Sequence, residues 1–115
     1  MSIAVQLDEL AEAVARQAPF AYLLSVSGDG RVHVVAVTPT LGAGELRCDA
    51  GGRSRANAHA RPAASLVWPP LAGDGYSLIV DGEASLDADR LLLTPARAVL
   101  HRPKAGPGMD CVTVL

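Results

Sequence analysis

The sequence has no excess of basic residues, because 10 Lys and Arg stand against 12 Asp and Glu, for a formal net charge of −2. Proteins that bind nucleic acids usually carry a marked positive charge, so this class is not expected. The sequence is also poor in cysteine. Cys48 and Cys111 lie far apart with no partners at zinc-ligand spacing, which argues against both a metal site and a disulfide framework.

Long apolar runs are absent as well. No stretch approaches the ~20 consecutive apolar residues that a membrane-spanning helix needs. The first residues include Asp8, Glu9 and Glu12, where a secretory signal would carry basic residues and then an apolar segment. We therefore expect a cytoplasmic protein without a membrane partner.

What the chain does have is apolar content: half of its 115 residues are hydrophobic. A single domain over residues 1–115 can then bury a sizeable core, about 65% of its extended-chain surface. Residues 3–18 place apolar side chains at helical spacing opposite charged ones. This spacing predicts an N-terminal helix within residues 1–18 that ends before Pro19.

The most informative segment is residues 20–38, in which two runs rich in Val and Leu flank Gly28-Asp29-Gly30. Glycine and aspartate accept the positive φ angles of a tight turn, so this segment predicts a long β-hairpin. The strand at 32–38 is apolar on both of its faces. It is therefore expected either at a central position or at a subunit interface.

Several shorter elements follow. Alanines after Gly51-Gly52 favour a short helix that has Ser54 as its N-cap and ends at Pro62. Gly82 predicts a bulge or bend within a strand. Further strands are expected at 45–49, 63–68, 76–81, 83–87, 91–94, 97–102 and 111–115. Pro95 is expected to break the chain between the strands at 91–94 and 97–102. Residues 103–110 are expected to form an irregular loop before the last strand. The pattern is mainly β, with one N-terminal and one short inserted helix, and it predicts a closed or half-open antiparallel barrel.

Residues 51–57 concentrate the candidate chemistry. Backbone amides at a helix start, the Ser54 hydroxyl and the guanidinium groups of Arg53 and Arg55 all suit a phosphate group. On a helix, Arg53 and Asn57 would also share a face. The alternative is a solvated basic helix that packs its alanines on the barrel, because Gly-Gly-Arg-Ser-Arg fits no phosphate-loop template.

No catalytic group is predicted. The three histidines lack ligand-like spacing, and no serine lies in a nucleophile elbow. Cys48 is interpreted as a small buried residue. Trp68, the only tryptophan, could stack on a planar ring, although a role as a core or interface anchor is favoured.

A resemblance adds to this reading. Three segments carry it: Gly-Asp-Gly-Arg31 with the Val-rich strand that includes His33, the run Gly52-Arg-Ser-Arg-Ala-Asn57, and Tyr76-Ser-Leu-Ile-Val-Asp-Gly-Glu-Ala84. Together they make the chain similar, over about residues 18–102, to the pyridoxamine 5′-phosphate oxidase-like family. The resemblance implies a split β-barrel, usually a homodimer, that binds FMN or a related deazaflavin coenzyme at the subunit interface.

The resemblance also implies site residues. The family's phosphate-binding segment falls on Arg53, Ser54, Arg55 and Asn57, and the strand that lines the ring falls on residues 33–36, namely His33, Val34, Val35 and Ala36. Many members carry an Arg-Lys step where this chain has Arg53-Ser54-Arg55, so the lysine is absent and Arg55 could supply its charge. The chain is also shorter than the true pyridoxamine phosphate oxidases, so oxidation of vitamin B6 is not expected.

Two functions therefore remain open. The first is an oxidoreductase that uses FMN or a deazaflavin on a small molecule. The second is a non-catalytic dimeric module that binds another ligand such as haem, or that has lost its cofactor. The arginines favour the first function, and the missing lysine favours the second.

Overall fold

A computed structural model of the chain describes residues 1–73 and 75–103. The predicted terminal strand at 111–115 and Cys111 lie outside the described residues. So does the predicted loop at 103–110, apart from its first residue.

One antiparallel sheet of eight strands dominates the fold. The strands are β1 Ser2–Val5, β2 Ala21–Val26, β3 Val32–Val37, β4 Thr40–Gly42, β5 Glu45–Asp49, β6 Ala63–Trp68, β7 Ser77–Asp87 and β8 Arg90–His101. Their order in the sheet is β3-β2-β6-β7-β8-β5-β4, and β1 pairs with the part of the β8 edge that β5 leaves free. The outer strands β3 and β4 do not pair with each other, so the barrel is split. The predicted fold class is thereby confirmed.

Two helices accompany the sheet in the described part of the chain: α1 at Leu10–Ala15 and α2 at Gly52–Ala60. A single 3₁₀ turn at Leu7–Glu9 leads into α1. Helix α2 packs against β2 and β7. The inserted helix is therefore where the alanine-rich segment predicts it.

The N-terminal prediction is wrong in its extent. Residues 3–18 do not form one helix, because Ser2–Val5 is a strand whose partners run from His101 back to Ala98. Pairing satisfies backbone groups that the end of β8 would otherwise leave open on this edge. The β-branched side chains of Ile3 and Val5 suit an extended chain better than a helix. Only Leu10–Ala15 keeps the helical conformation.

The predicted break at Pro95 is also wrong, since β8 runs through it from Arg90 to His101. The register with β7 shifts between Asp81 and Gly82, so that Gly82 pairs with Pro95 while Asp81 pairs with Arg97. This bulge lets the strand continue past a residue that has no N–H to donate. The bend predicted at Gly82 is confirmed.

The core lies on the inner face of the sheet, where alternate side chains of each strand point. On β2 the buried residues are Ala21, Leu23 and Ser25, so Tyr22 and Leu24 lie on the outer face. Other strands contribute further large buried side chains to the core, namely Leu46, Leu66, Trp68, Leu78, Val80, Leu91 and Leu93.

Strand β3 is an edge strand of this sheet, which excludes the central position that its sequence allowed. Its register with β2 pairs Val34 with Leu24 and Val35 with Leu23. The side chains of β3 therefore alternate between an inner face, which Val35 and Val37 extend, and an outer face that carries Val32 and Val34. On that outer face, Val32 is 60% exposed and Val34 is 51% exposed.

Candidate functional site

Helix α2 begins at the glycine pair that follows β5. Gly51 is its N-cap residue, and the Arg55 amide donates to the Gly51 carbonyl at 3.0 Å. Ser54 was predicted to be the N-cap, and this is wrong: it lies inside the first turn and is 1% exposed. Gly51 suits the position because a cap residue has extended φ and ψ angles, which Gly51 adopts.

A buried hydrogen bond fixes α2 on the sheet. The Asn57 side-chain amide donates to the Ser25 hydroxyl oxygen on β2 at 3.1 Å, and Asn57 is only 5% exposed. At the end of the helix, the Arg61 guanidinium donates from Nε to the Val26 carbonyl at 2.7 Å. These two bonds hold the exposed face of α2, which carries Arg53, beside the β2–β3 hairpin.

The turn of that hairpin is closed by backbone and side-chain bonds. The Gly30 amide donates to the Ser27 carbonyl at 2.9 Å, and Gly30 has a φ of 84°, a conformation that favours glycine. The Asp29 carboxylate accepts hydrogen bonds from the Ser27 hydroxyl and from the Arg31 amide, the latter at 3.2 Å. The turn therefore holds the carboxylate in a fixed place.

An open pocket of about 420 Å³, which we call the hairpin pocket, lies between this turn and α2. Two guanidinium groups, an imidazole, a hydroxyl, an amide and one carboxylate line it. Its residues are Ser27, Gly28, Asp29, Arg31, Val32, His33, Arg53 and Asn57. Such a set of donors suits an oxyanion, because arginine binds phosphate through a planar fork of N–H groups.

The carboxylate of Asp29 belongs to the electrostatics of this pocket. Its pKa is lowered by the hydrogen bond from the Ser27 hydroxyl, then by the Arg31 amide, with a smaller effect of the Arg53 charge. The Arg31 Nε atom lies 3.7 Å from an Asp29 carboxylate oxygen. Asp29 therefore stays ionised beside both arginines, and it offsets part of their charge.

A second pocket, which we call the sheet-face pocket, opens on the outer face of the sheet and has a volume of about 370 Å³. Its walls are mostly apolar, and Val32 lines both pockets. The residues are Leu24, Ser25, Val26, Val32, Ala63, Ala64, Ser65, Asp81 and Gly82. One polar pair interrupts the apolar wall, since the Ser65 hydroxyl donates to the Asp81 carboxylate at 2.5 Å.

The structure separates the predicted ring-lining residues. Because side chains alternate along a strand, His33, Val34, Val35 and Ala36 cannot all line one slot. His33 lines the hairpin pocket, and Val35 packs against the core. Val34 and Ala36 are exposed on the outer face. Of this group, only His33 lies at a pocket described above.

The other predicted residues separate in the same way. Arg53 and Asn57 lie together at the hairpin pocket, as a shared helix face requires. Ser54 is buried, and Arg55 lines neither pocket. Trp68 is 2% exposed and packs in the core, so its ring is not available to stack on a ligand.

Sequence reasoning missed Asp29 and Arg31 as site residues, because it interpreted Gly28-Asp29-Gly30 only as a turn. It also missed Ser65 and Asp81, which meet across β6 and β7. The available signal was that Ser65 and Asp81 are polar residues within two otherwise mostly apolar strands. No local sequence pattern predicts that α2 packs next to the turn between β2 and β3.

The remaining reactive groups do not extend the site. Cys48 is buried, as predicted, and burial followed by the nearby charge of Asp49 raises the pKa of its thiol to about 11. Within residues 1–73 and 75–103, no three His, Cys, Asp or Glu side chains form a group that could hold a metal ion. None of the helices in these ranges has both the length and the apolar character needed to cross a membrane.

Comparison by sequence finds close relatives whose function is not described. The chain is 41% identical, over 94% of its length and 93% of theirs, to the uncharacterized proteins Mb0449c of Mycobacterium bovis and MT0457 of Mycobacterium tuberculosis. No protein-family model matches the chain.

Comparison by structure finds split-barrel proteins. A putative pyridoxamine 5′-phosphate oxidase of Listeria innocua superposes with a TM-score of 0.68 at 16% identity, over 83% of this chain and 98% of that one. An FAD-binding protein of Mesorhizobium loti gives 0.66 at 15% identity, over 87% and 96% of the two chains. These identities are low, so the likeness concerns the fold.

Two further neighbours differ in what they bind. A protein described as an F420 reductase has a TM-score of 0.54 at 20% identity, over 82% of this chain and 93% of that one. A heme-binding protein of Mycobacterium smegmatis has a TM-score of 0.62 at 16% identity, over 84% of this chain and 54% of that one. The same barrel therefore carries different ligands in different proteins.

Proposed function

We propose a cofactor and its site for this chain on the premise that it belongs to the pyridoxamine 5′-phosphate oxidase-like split-barrel proteins. The protein binds a flavin or deazaflavin, with FMN as the first candidate, and serves as an oxidoreductase for a small molecule. The observation that carries the proposal is the junction of a cationic pocket and an apolar pocket at Val32.

The hairpin pocket takes the phosphate of the cofactor. Arg53 and Arg31 supply the positive charge, and Arg31 takes the place that the sequence assigned to Arg55. The Ser27 hydroxyl and the His33 imidazole add polar groups at the same pocket. Hydrogen bonds between charged partners are stronger than those between neutral ones, so the two arginines contribute most of the affinity of this pocket for the phosphate.

The sheet-face pocket takes the apolar ring. Leu24, Val26 and Val32 offer it an apolar wall. The Ser65–Asp81 pair would offer hydrogen-bond partners to polar atoms at the edge of the ring. The bound cofactor supplies the electron transfer, while the chain supplies position, charge and exclusion of water. Acid or base catalysis by a side chain is not needed, which agrees with the absence of a predicted catalytic group.

A second copy of the chain completes the site. The outer face around the sheet-face pocket exposes Val32, Val34 and Tyr22, the last at 40%. An apolar patch of this kind on a sheet is typical of a surface that a partner covers. We place the homodimer interface here, with the ring of the cofactor between the two protomers.

Titration of the apoprotein with FMN and riboflavin tests the phosphate site. Arg53→Ala should weaken FMN binding about tenfold or more, because a hydrogen bond to a charged group contributes roughly 1.5–3 kcal/mol. Arg55→Ala is the matched control. It also removes one positive charge from α2, but the Arg55 side chain lines neither pocket. Neither variant should change riboflavin binding, which involves no phosphate. Equal losses of FMN affinity in both variants would refute the assignment.

The alternative function is a non-catalytic module that binds another ligand such as haem. One specific observation favours it, the similar fold of the heme-binding protein of M. smegmatis. A visible spectrum of freshly purified protein separates the candidates. Bands of a bound flavin support the first function, and a Soret band supports haem. No colour and no binding of FMN would support a barrel that has lost its cofactor.

A further inference from the structure

Arg61, at the end of α2, connects the two pockets of the proposed site. Its backbone N–H donates to the Asn57 carbonyl at 2.8 Å, and Asn57 lines the hairpin pocket. Its guanidinium Nε donates to the Val26 carbonyl at 2.7 Å, and Val26 lines the sheet-face pocket. The Arg61 side chain therefore reaches from the end of α2 to the wall of the sheet-face pocket.

The sheet-face pocket opens where β2 and β6 separate. The last pair between these strands joins Leu24 to Ser65, and the unpaired ends beyond it line the pocket, with Val26 on β2 and Ala63 on β6. Arg61 precedes Ala63 by two residues and bonds to Val26, so its side chain bridges the two unpaired ends. The guanidinium therefore lies at the end of the pocket nearest α2.

The charge of Arg61 has no partner of opposite sign in the described part of the chain. The residue is half-buried, yet it forms no ion pair with any carboxylate in residues 1–73 and 75–103. In the same ranges the bond from Nε is its only side-chain hydrogen bond. Partial burial of a charge without a counter-ion costs free energy, which a negatively charged ligand offsets.

The carboxylate at this pocket is already paired. Among the residues that line the pocket in the described part of the chain, Asp81 is the one acid. It accepts a hydrogen bond from the Ser65 hydroxyl, and Arg97 Nε lies 3.8 Å from its second oxygen. Glu83 lies opposite Ala63 in register, but it is exposed and does not line the pocket. The charges at the pocket are thus two positive and one negative once Arg61 is counted.

We infer that Arg61 stabilises the negative charge that a bound flavin or deazaflavin ring gains on reduction, and that it thereby raises the reduction potential of the cofactor. Uptake of a hydride brings two electrons and one proton, so the neutral oxidised ring becomes an anion. A nearby cation favours that anion and has little effect on the neutral ring. The inference rests on the proposed function and adds a residue to it.

The size of the effect follows from the charge. At an effective dielectric constant of about 20, a unit charge within about 12 Å of the ring changes the ratio of reduced to oxidised form about tenfold or more. For a two-electron couple, a tenfold change in an equilibrium constant corresponds to about 30 mV. Loss of the Arg61 charge should therefore lower the reduction potential of the bound ring by about this amount.

The test measures the reduction potential of bound FMN and of bound riboflavin, by equilibration with a redox dye at saturating protein. The variants are Arg61→Gln and Arg61→Met, which are neutral, and Arg61→Lys, which keeps the charge. Arg16→Gln is the control for loss of one positive charge from the molecule, because Arg16 lies at the end of α1 and lines neither pocket. Urea denaturation identifies any variant that does not fold.

Both neutral variants should lower the potential by about 30 mV with either flavin, because the charge acts on the ring and riboflavin has no phosphate. Arg61→Lys should recover most of the loss, and Arg16→Gln should match the wild type. Neutral variants with the wild-type potential, or a loss seen with FMN but not with riboflavin, overturn the inference and leave the proposed function standing. So does an Arg61→Lys potential as low as that of Arg61→Gln. If the wild type binds neither flavin, the proposed function itself is refuted.

Discussion

Single side chains at the site do two different kinds of work. Arg31, Arg53 and Asn57 all line the hairpin pocket, but the Asn57 side chain is almost fully buried and its amide donates to Ser25. The sequence placed Arg53 and Asn57 on one helix face, and the structure agrees. The sequence did not predict that Asn57 would be almost fully buried, because the burial of this side chain depends on how α2 packs against β2. That packing is a tertiary property with no local signal.

The bond between Asn57 and Ser25 gives a residue-scale prediction. Asn57→Ala should lower the free energy of unfolding by about 1–3 kcal/mol, because it leaves the buried Ser25 hydroxyl without its partner. Urea denaturation measures the change as a lower midpoint with an unchanged slope.

The double variant Ser25→Ala with Asn57→Ala is the control for this pair. It removes both polar groups, so its cost should be smaller than the sum of the two single costs. Strictly additive costs would show that the bond does not couple the helix to the strand.

At the scale of elements, the sequence predicted most strands and the inserted helix, because alternation and turn residues are local signals. The strand at 63–68 and the bend at Gly82 are confirmed in place. Two elements were predicted wrongly, and both depend on pairing with a distant segment. Ser2–Val5 pairs with the far end of β8, and Pro95 lies opposite Gly82, so neither outcome is visible in a local window.

The bulge gives the prediction at this scale. A Cβ on Gly82 would lie 2.2 Å from the Thr94 carbonyl oxygen and 2.9 Å from the Thr94 carbonyl carbon. These are backbone atoms that cannot move aside without disturbing β8. Gly82→Ala should therefore destabilise the protein by about 3 kcal/mol or more.

Gly28→Ala is the matched control, since nothing lies within 4 Å of the added Cβ and the φ of Gly28 is not in the left-handed region. Its effect on the free energy of unfolding should stay within about 1 kcal/mol. Thermal denaturation of the two variants side by side measures the difference. Equal midpoints would contradict the close approach of β7 and β8 at the bulge.

At the scale of the whole molecule, the sequence predicted a subunit interface or a central position for the second strand of the hairpin. The structure leaves it at an edge, with Val32 and Val34 exposed on the outer face. The sheet-face pocket opens on the same face, so an uncovered site would expose the ring of a bound cofactor to water. The proposed function therefore requires a second copy, and cofactor affinity should depend on dimer formation.

Val34→Glu tests this requirement most directly, with molar mass and FMN affinity measured on the same samples by light scattering and fluorescence titration. The wild type should have twice the chain mass of 11.9 kDa. Val34→Glu should be a folded monomer that binds FMN at least tenfold more weakly, because the new carboxylate would be buried in an apolar interface. Leu71→Glu, at a site 69% exposed in the loop after β6, should stay dimeric with full affinity. A monomeric Val34→Glu protein that binds FMN as tightly as the wild type would contradict the account.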